Sequence, residues 1–289
     1  MGLLPVFGDS TGFLLLATAV DQTKTMLRGL THDVHFICMS EHKLATYLIN
    51  LDRSRDRLEY SKLEFERYGM DFTRIQAIDG LDLDIADYPQ ATRNGWAYHT
   101  PLTINEIACY MSHLKALRSF LDSDATHGMI LEDDFAFVED PMPCLWSLME
   151  LDDWDIVKLY NWKKRRLKKY FTSFMTDQRK PYSLYFNAST AICNTGQIFS
   201  RSGAEKFVAK KNHFYRPVDV ELKHYWEQDL RIKSLCPPII TENKETQPLS
   251  TIGHEKSEKS LPAFAWRMKY FVHFGVLKFV NYARASEGN

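Results

Sequence analysis

Three consecutive carboxylates, Glu132-Asp133-Asp134, directly follow the short apolar run 128–131. The apolar run predicts a buried strand, and ligands of open α/β sheets bind outside the C-terminal ends of the strands. Three acids packed there repel one another unless a cation or hydrogen-bond donors compensate the charge. A hard divalent ion such as Mg²⁺ or Mn²⁺ binds one or two carboxylates together with the oxygens of a substrate diphosphate. The triplet therefore predicts either such a metal site or an acidic turn after a strand.

A second charged cluster, residues 50–57 (NLDRSRDR), lies where a predicted strand (45–51) passes into a predicted helix (55–68). Basic side chains and free backbone N–H groups at a helix N-terminus form an anion-binding site. The alternative is a solvated, charged first turn. The cluster contains no Gly-x-Gly-x-x-Gly, which disfavours a dinucleotide cofactor.

A predicted amphipathic helix precedes the acidic strand and begins with the capping box formed by Thr103 and Glu106. Cys109 and His113 follow on the same face as Glu106, with Ser112 beside them. Two ligands do not make a zinc site, and a thiol nucleophile has no supporting residues. We expect Ser112 and His113 either to support the acidic strand by hydrogen bonds or to touch the ligand.

Two further acid–base residues lie towards the C-terminus. Asp219 begins a helix predicted over 217–227, and it either favours the helix dipole or faces the metal site as a general base. His254 lies in the polar stretch 241–260, where it is either exposed to solvent or reaches the metal. The basic run 163–169 is either a solvated surface or a contact for phosphate groups or an anionic membrane.

Composition indicates a globular α/β protein. The 289 residues are 45% hydrophobic with a net charge of −1, and we expect no nucleic-acid partner. The five cysteines are scattered and form no CxxC pair, which argues against a zinc knuckle or a disulfide framework and favours a reducing compartment. Alternating strands and helices predict a mostly parallel, Rossmann-like sheet flanked by helices.

The chain divides into three predicted segments. Residues 1–44 form an extension outside the core fold, because the apolar run 13–20 is too short to span a bilayer and Met39 resembles a natural start. Residues 45–255 form the main domain. Residues 256–289 form an amphipathic helix and tail, rich in aromatic residues and cations. That helix either docks on the domain or lies in a membrane interface.

Five sequence blocks in this order resemble glycosyltransferase family 25, the bacterial lipopolysaccharide glycosyltransferases, which also includes the collagen galactosyltransferase domains. The blocks are YLINLDRSRDR, AIDG, LTINEIACYMSH, MILEDDF and the downstream pair NTGQIFSRSGAEKF with PVDVEL. The resemblance extends over roughly residues 45–252. It implies a GT-A-like single domain, a nucleotide-sugar donor (typically UDP-galactose), Mn²⁺ or Mg²⁺, and inversion at the anomeric carbon.

The resemblance also implies roles for individual residues. Asp134 would be the main metal ligand, and Glu132 would contact the ribose or the metal. His254, a candidate from its own position and not from the resemblance, is a further possible ligand. An inverting displacement needs a base at the acceptor hydroxyl, for which Asp219 is the candidate and Glu221 the reserve. The predicted donor-binding residues are Asn50, Leu51, Asp52, Arg53, Arg57, Asp79, Ser112, His113, Glu132 and Asp133.

Two functions are therefore compared. The first is an inverting, metal-dependent glycosyltransferase that moves a hexose onto lipopolysaccharide, lipooligosaccharide or a related, lipid-linked glycan. It would be cytoplasmic, with peripheral attachment to the inner face of the cytoplasmic membrane. The second is a non-catalytic carbohydrate-binding or membrane-peripheral protein that retains the fold. The intact acidic triplet favours the enzyme.

Overall fold

The acidic triplet lies at one edge of a large mixed sheet. The structure, a computed structural model, describes residues 42–89, 98–160, 171–186, 193–209, 215–243 and 261–287. The predicted extension, the basic run 163–169 and His254 lie outside these residues. The predicted domain boundaries therefore stay predictions.

The described residues form one eight-stranded sheet and one two-stranded ribbon. The strands are β1 (Leu44–Asn50), β2 (Thr73–Gln76), β3 (His127–Glu132), β4 (Phe135–Phe137), β5 (Ile156–Lys158), β6 (Phe171–Met175), β7 (Pro181–Phe186), β8 (Gly196–Ser200), β9 (Ile232–Cys236) and β10 (Ile240–Glu242). The large sheet has the order β2-β1-β3-β8-β5-β9-β7-β6, and β4 pairs with β10. Only β7 and β8 run against the direction of the others in the large sheet, so the predicted α/β fold with a mostly parallel sheet is confirmed.

Helices cover the sheet. They are α1 (Arg55–Arg67), α2 (Ile104–Leu121), α3 (Met142–Met149), α4 (Arg201–Ala209), α5 (Val218–Glu221) and α6 (Leu261–Glu287). The predicted capping box begins α2, because Thr103 Oγ1 accepts from the Glu106 N–H and Glu106 Oε2 accepts from the Thr103 N–H. This cap fixes the first turn of the helix that forms one wall of the site described below.

Successive side chains of each strand point to opposite faces of the sheet, so one hydrophobic layer forms on each face. Ile49 of β1 and Ile130 of β3 pack with α2 on one face of the sheet. Leu48 and Leu131 point to the other face, where they pack with α3 and the β4–β10 ribbon. The apolar run before the acidic triplet is thus buried on both faces, which holds the end of β3 in a fixed position.

Two local predictions were wrong. The helix predicted over 217–227 is broken, because α5 ends at Glu221 and a 3₁₀ segment with a non-helical His224 continues to Glu227. The polar stretch predicted to begin at residue 241 in fact starts with the end of β10, which pairs with β4. Backbone pairing in so short a ribbon leaves no periodic signal in the sequence.

Candidate active site

A cavity of about 290 Å³ opens at the C-terminal ends of β1, β2 and β3, with α2 as one wall. Its size is at the lower end of the range typical of small-ligand sites. The cavity is lined by Ile49, Leu51, Arg53, Arg57, Ala77, Ile78, Asp79, Gly80, Asn105, Ala108, Cys109, Ser112, His113, Glu132, Asp133, Asp134 and Glu242. Most of the predicted donor-binding residues are therefore brought together at the sheet edge where ligands of open α/β sheets bind.

Asp134 lies in an unfavourable electrostatic environment. Its Oδ1 is buried and has no hydrogen-bond partner among the described residues. Burial, together with the charges of Glu132, Asp133 and Glu242, raises the pKa of Asp134 to about 7, although Arg57 opposes the rise. A buried carboxylate oxygen without a donor is costly. Arg57 Nη2 lies 3.4 Å from Asp134 Oδ2, so Oδ1 is the oxygen of this carboxylate that is left without a partner among the described residues.

Asp133 is instead fixed by protein donors. Asn50 Nδ2 donates to Asp133 Oδ2 at 2.6 Å, and Arg57 lies 2.9 Å from Asp133 Oδ1. Burial raises the pKa of Asp133, and the positive charge of Arg57 opposes that shift. Asn50 itself is buried and is fixed by Arg74, which donates to its Oδ1. Asn50 and Asp133 therefore position the acidic turn, with both carboxylate oxygens of Asp133 already occupied.

Glu132 is paired with α2. Its Oε1 lies 2.9 Å from Nε2 of His113, a residue that is almost fully buried. Burial by itself would raise the pKa of Glu132, but the hydrogen bond and charge of His113 outweigh it and lower the pKa. The sequence predicted that His113 either supports the acidic strand by a hydrogen bond or contacts the ligand. Its hydrogen bond to Glu132 corresponds to the first of these, and the side chain also lines the cavity.

Ser112 joins α2 to the segment after β2. Its hydroxyl donates to the Ala108 carbonyl at 2.7 Å and accepts from the Ile78 N–H at 2.9 Å. In the same segment, Gly80 lies so close to α2 that a Cβ at this position would displace the Asn105 side-chain amide. The AIDG block therefore forms a cavity wall by backbone proximity.

The charged cluster at residues 50–57 separates into cavity and surface residues. Arg53 lies at the cavity and pairs with Asp79, whose carboxylate also accepts from the Leu81 N–H. Asp52 is exposed and pairs outside the cavity lining with Arg74 and Gln76. The predicted role of Asp52 in donor binding thus has no geometric support, whereas Arg53 and Arg57 line the cavity.

Asp219 and Glu221 differ in their surroundings. Glu221 is buried, pairs with Arg216 at 3.5 Å and accepts from Gln228 at 2.9 Å. Asp219 is half-buried, and burial raises its pKa while Lys158 opposes the rise. Neither acid lines the cavity itself, and of the two it is the charge of Asp219 that acts on the cavity residue Cys109.

Two charged residues at or beside the site were not identified from the sequence. Glu242 reaches the cavity because β10 pairs with β4 and the Asn243 N–H donates to the Asp134 carbonyl at 2.6 Å. Lys158 is fully buried at the end of β5, donates to Asn194 Oδ1 at 2.7 Å, and burial lowers its pKa to about 8. A lysine inside a short apolar strand is the signal that could have identified Lys158, whereas Glu242 has no such signal.

Oxygen ligands at the acidic turn fit a hard divalent ion. Asp134 and Glu242 are carboxylates that line the cavity, and Asp134 contributes the buried oxygen without a donor, which matches Mn²⁺ or Mg²⁺ chemistry. A second group, Cys109, His113 and Glu132, has ligand atoms within 4.8 Å of one another. That group offers three donors, its His113–Glu132 contact is already a hydrogen bond, and burial raises the pKa of the Cys109 thiol, so it fits a metal less well.

Replacing Arg57 with methionine is expected to destabilise the metal-free protein by about 3 kcal/mol, because the largely buried charge of Asp133 would lose its cation. The loss should shrink as the pH falls through about 7, where Asp134 binds a proton and the repulsion declines. Urea unfolding in the presence of EDTA measures both effects. The matched control is Arg53→Met, because its pair with Asp79 is more exposed and is expected to cost under about 1 kcal/mol. Equal losses for the two variants would contradict this account of the acidic turn.

Comparisons with known proteins give the following similarities. Residues 43–222 match glycosyltransferase family 25 (LPS biosynthesis protein). The chain is 26% identical over 175 residues to a glycosyltransferase 25 family member of Drosophila pseudoobscura pseudoobscura, covering 57% of this chain and 27% of the relative. It is 25% identical over 224 residues to human procollagen galactosyltransferase 2, covering 67% of this chain and 34% of the relative. This chain thus spans about a third or less of the length of these relatives.

A solved structure with a similar arrangement is a mutant of the Drosophila β1,4-galactosyltransferase 7 in complex with manganese, UDP-Gal and xylobiose. The two chains are 10% identical in sequence, with a TM-score of 0.37. The similarity covers 76% of this chain and 77% of that chain.

Proposed function

Because this chain belongs to glycosyltransferase family 25, we propose that it is an inverting, metal-dependent glycosyltransferase. The proposed reaction moves a hexose, galactose from UDP-galactose, onto a lipopolysaccharide, lipooligosaccharide or related glycan. The observation that most supports the proposal is the buried Asp134 oxygen without a donor in the described part of the chain, at the end of the strand that carries the acidic triplet. The galactose donor is proposed from the name of the human relative.

Asp134 would hold the divalent ion together with Glu242, and Glu132 is a further carboxylate of the same cavity. When bound, Mn²⁺ or Mg²⁺ would act as a Lewis acid that stabilises charge on the departing diphosphate. Arg57 already reduces the negative charge of the turn through its contacts with Asp133 and Asp134. Its Nε is buried and has no partner within the described part of the chain, so it remains available as a donor to a phosphate oxygen.

The remaining cavity residues would bind the nucleoside part of the donor. Glu132 is oriented by His113 and has a lowered pKa, so it stays ionised and can accept hydrogen bonds from ribose hydroxyls. Ser112 and Gly80 fix the wall formed by the segment after β2, and Arg53 and Asp79 lie at the same wall. This arrangement provides polar contacts to a sugar ring in a cavity that polar, charged and apolar residues line together.

Asp219 is the proposed base. An inverting displacement requires removal of the acceptor proton on the sugar face opposite the leaving diphosphate. Burial raises the pKa of Asp219, which makes its carboxylate a stronger base than an exposed aspartate. Lys158 opposes that rise and keeps the carboxylate from being protonated too readily. Glu221 is paired with Arg216 and accepts a hydrogen bond from Gln228, so we assign it a structural role rather than the role of the base.

The acceptor and the location are proposed on chemical grounds. A lipid-linked glycan acceptor suits a protein with a cationic, aromatic C-terminal helix, and scattered cysteines suit a reducing compartment. We therefore propose a cytoplasmic enzyme at the inner face of the cytoplasmic membrane.

Donor hydrolysis tests the proposed function without knowledge of the acceptor. We expect slow release of UDP from UDP-galactose that requires added Mn²⁺ or Mg²⁺ and stops with EDTA. Asp52→Asn is a matched control, because it neutralises a nearby exposed carboxylate outside the cavity lining and should retain the activity. If no nucleotide sugar is bound or hydrolysed with either metal, the non-catalytic carbohydrate-binding alternative replaces the enzyme.

A further inference from the structure

Helix α6 docks on the catalytic region. Tyr270 is buried, and its hydroxyl lies 3.1 Å from Nε2 of His224. The Phe274 ring packs 4.8 Å from the His224 ring and 5.7 Å from the Trp226 ring. Further along the helix, Tyr282 stacks on Phe186 at 5.8 Å. The docked-helix alternative of the sequence is therefore what the structure describes.

The face of α6 opposite Tyr270 and Phe274 is apolar and exposed. Its large hydrophobic side chains have exposed fractions between 38% and 72%. We call this set the outer stripe, and it consists of Phe264, Met268, Phe271, Val272, Val276, Phe279 and Val280. At about 100° per residue these positions fall on one side of the helix, over a length of about 24 Å. Exposed apolar surface of this kind marks a contact site for a partner or a membrane.

Cations flank the outer stripe. On the same helical projection, Arg267 and Lys278 lie at one edge of the stripe, and Lys269 lies within the stripe near its other edge, between Val276 and Val280. No acidic residue occurs in the sequence from Leu261 to Ser286. An apolar surface with two cations along one edge and a lysine near the other complements an anionic plane with an apolar interior. No helix within the described ranges is both long enough and apolar enough to cross a membrane.

We propose that the outer stripe is a membrane-docking surface for anionic lipid, and that α6 joins that surface to the catalytic region. The two alternatives drawn from the sequence, a docked helix and an interfacial helix, then describe opposite faces of the same helix. The docked face contacts the 3₁₀ segment that directly follows α5, the helix of Asp219. This inference does not depend on the proposed reaction.

Co-sedimentation of the full chain with vesicles tests the surface. We expect binding to vesicles of phosphatidylcholine with a quarter phosphatidylglycerol at about 50 mM salt, and weaker binding at about 500 mM salt. Vesicles of phosphatidylcholine alone should bind much less. Equal recovery in the supernatant with both vesicles at every salt concentration would overturn the proposal.

Substitutions test whether the outer stripe, and not another part of the surface, contacts the vesicles. The triple change Phe264→Ser, Val272→Ser and Phe279→Ser removes apolar area from the outer stripe and should lower partitioning by at least about tenfold. The control Leu63→Ser removes a similarly exposed hydrophobic residue from α1 and should leave partitioning unchanged. The double change Lys269→Gln and Lys278→Gln should weaken binding to anionic vesicles only. Circular dichroism and UDP release check that the variants stay folded.

Self-association of the protein would indicate that a second copy of the chain, and not a membrane, covers the outer stripe. If sedimentation velocity shows a dimer that the triple change dissociates, and vesicles are not bound, a second copy of the chain covers the stripe and the membrane proposal is wrong. If the triple change sediments with anionic vesicles as the unchanged protein does, the stripe is not the contact and the proposal also fails.

Discussion

Replacing Asp134 with asparagine is expected to lower metal-dependent UDP release by about 10³-fold or more. The change removes the carboxylate whose buried oxygen lacks a donor among the described residues. Because a divalent ion contributes several kcal/mol to stabilising the leaving diphosphate, its loss corresponds to several factors of ten in rate. The measurement is UDP release from UDP-galactose across a range of Mn²⁺ concentrations.

The same variant should be more stable than the unchanged protein when metal is absent. The pKa of Asp134 is raised from 3.8 to about 7 in the folded state. Between these values the folded state binds a proton that the unfolded state has lost, so stability falls as the pH rises. The full shift of about three pKa units corresponds to about 4 kcal/mol, and solvent screening reduces it because 30% of the Asp134 side chain is exposed. The change Asp134→Asn removes this penalty, and we expect a gain of about 1–2 kcal/mol above pH about 7, measured by urea unfolding in EDTA.

Well below about pH 4, where the carboxylate is protonated in both states, the two proteins should have the same stability. Asp52→Asn serves as the control in both experiments because Asp52 pairs with Arg74 at the surface. An Asp134→Asn protein that retains near-normal turnover with Mn²⁺, or that is less stable in EDTA at alkaline pH, would contradict the role assigned to Asp134.

Replacing Asp219 with asparagine is expected to lower the turnover number about 10²–10⁴-fold, the usual contribution of a general base. Asparagine keeps the size of the side chain and removes its basicity. Binding of UDP with Mn²⁺ should be unchanged, because Asp219 does not line the nucleotide cavity. The rate of UDP release and the dissociation constant of UDP are the two measurements.

Glu221→Gln is the matched comparison for Asp219→Asn. Glu221 is buried against Arg216 and Gln228, so this change should lower the free energy of unfolding while the remaining folded protein keeps its turnover. If Glu221→Gln abolishes turnover in the folded protein and Asp219→Asn does not, the reserve base is the catalytic one.

Much of the site follows from local sequence patterns. The apolar run 128–131 predicts a buried strand, the Thr103–Glu106 capping box fixes the start of α2, and both observations place His113 near the acidic triplet. The resulting 2.9 Å contact between His113 and Glu132 follows from two correctly predicted elements. Such patterns can be recognised because they depend on neighbours along the chain.

The remaining features of the site depend on contacts between residues that are far apart in the sequence. Glu242 reaches the cavity through the β4–β10 ribbon, and no sequence periodicity marks a strand of three residues. Lys158 is buried because Asn194 and the Cys193 carbonyl meet it from another part of the chain. The helix predicted over 217–227 breaks where His224 contacts Glu227 and Tyr270 of α6. Tertiary contacts therefore override the local helical preference at this position.

The most direct test of the central claim is the melting temperature of the protein with UDP-galactose and Mn²⁺, added separately and together. Ligands that bind only the folded state stabilise it by about 2.7 kcal/mol at one hundred times the dissociation constant. We expect a larger rise with both ligands than the sum of the separate rises, and loss of this excess in Asp134→Asn but not in Asp52→Asn. No rise with any nucleotide sugar, or the same excess in Asp134→Asn, would contradict a metal-dependent nucleotide-sugar site at the acidic turn.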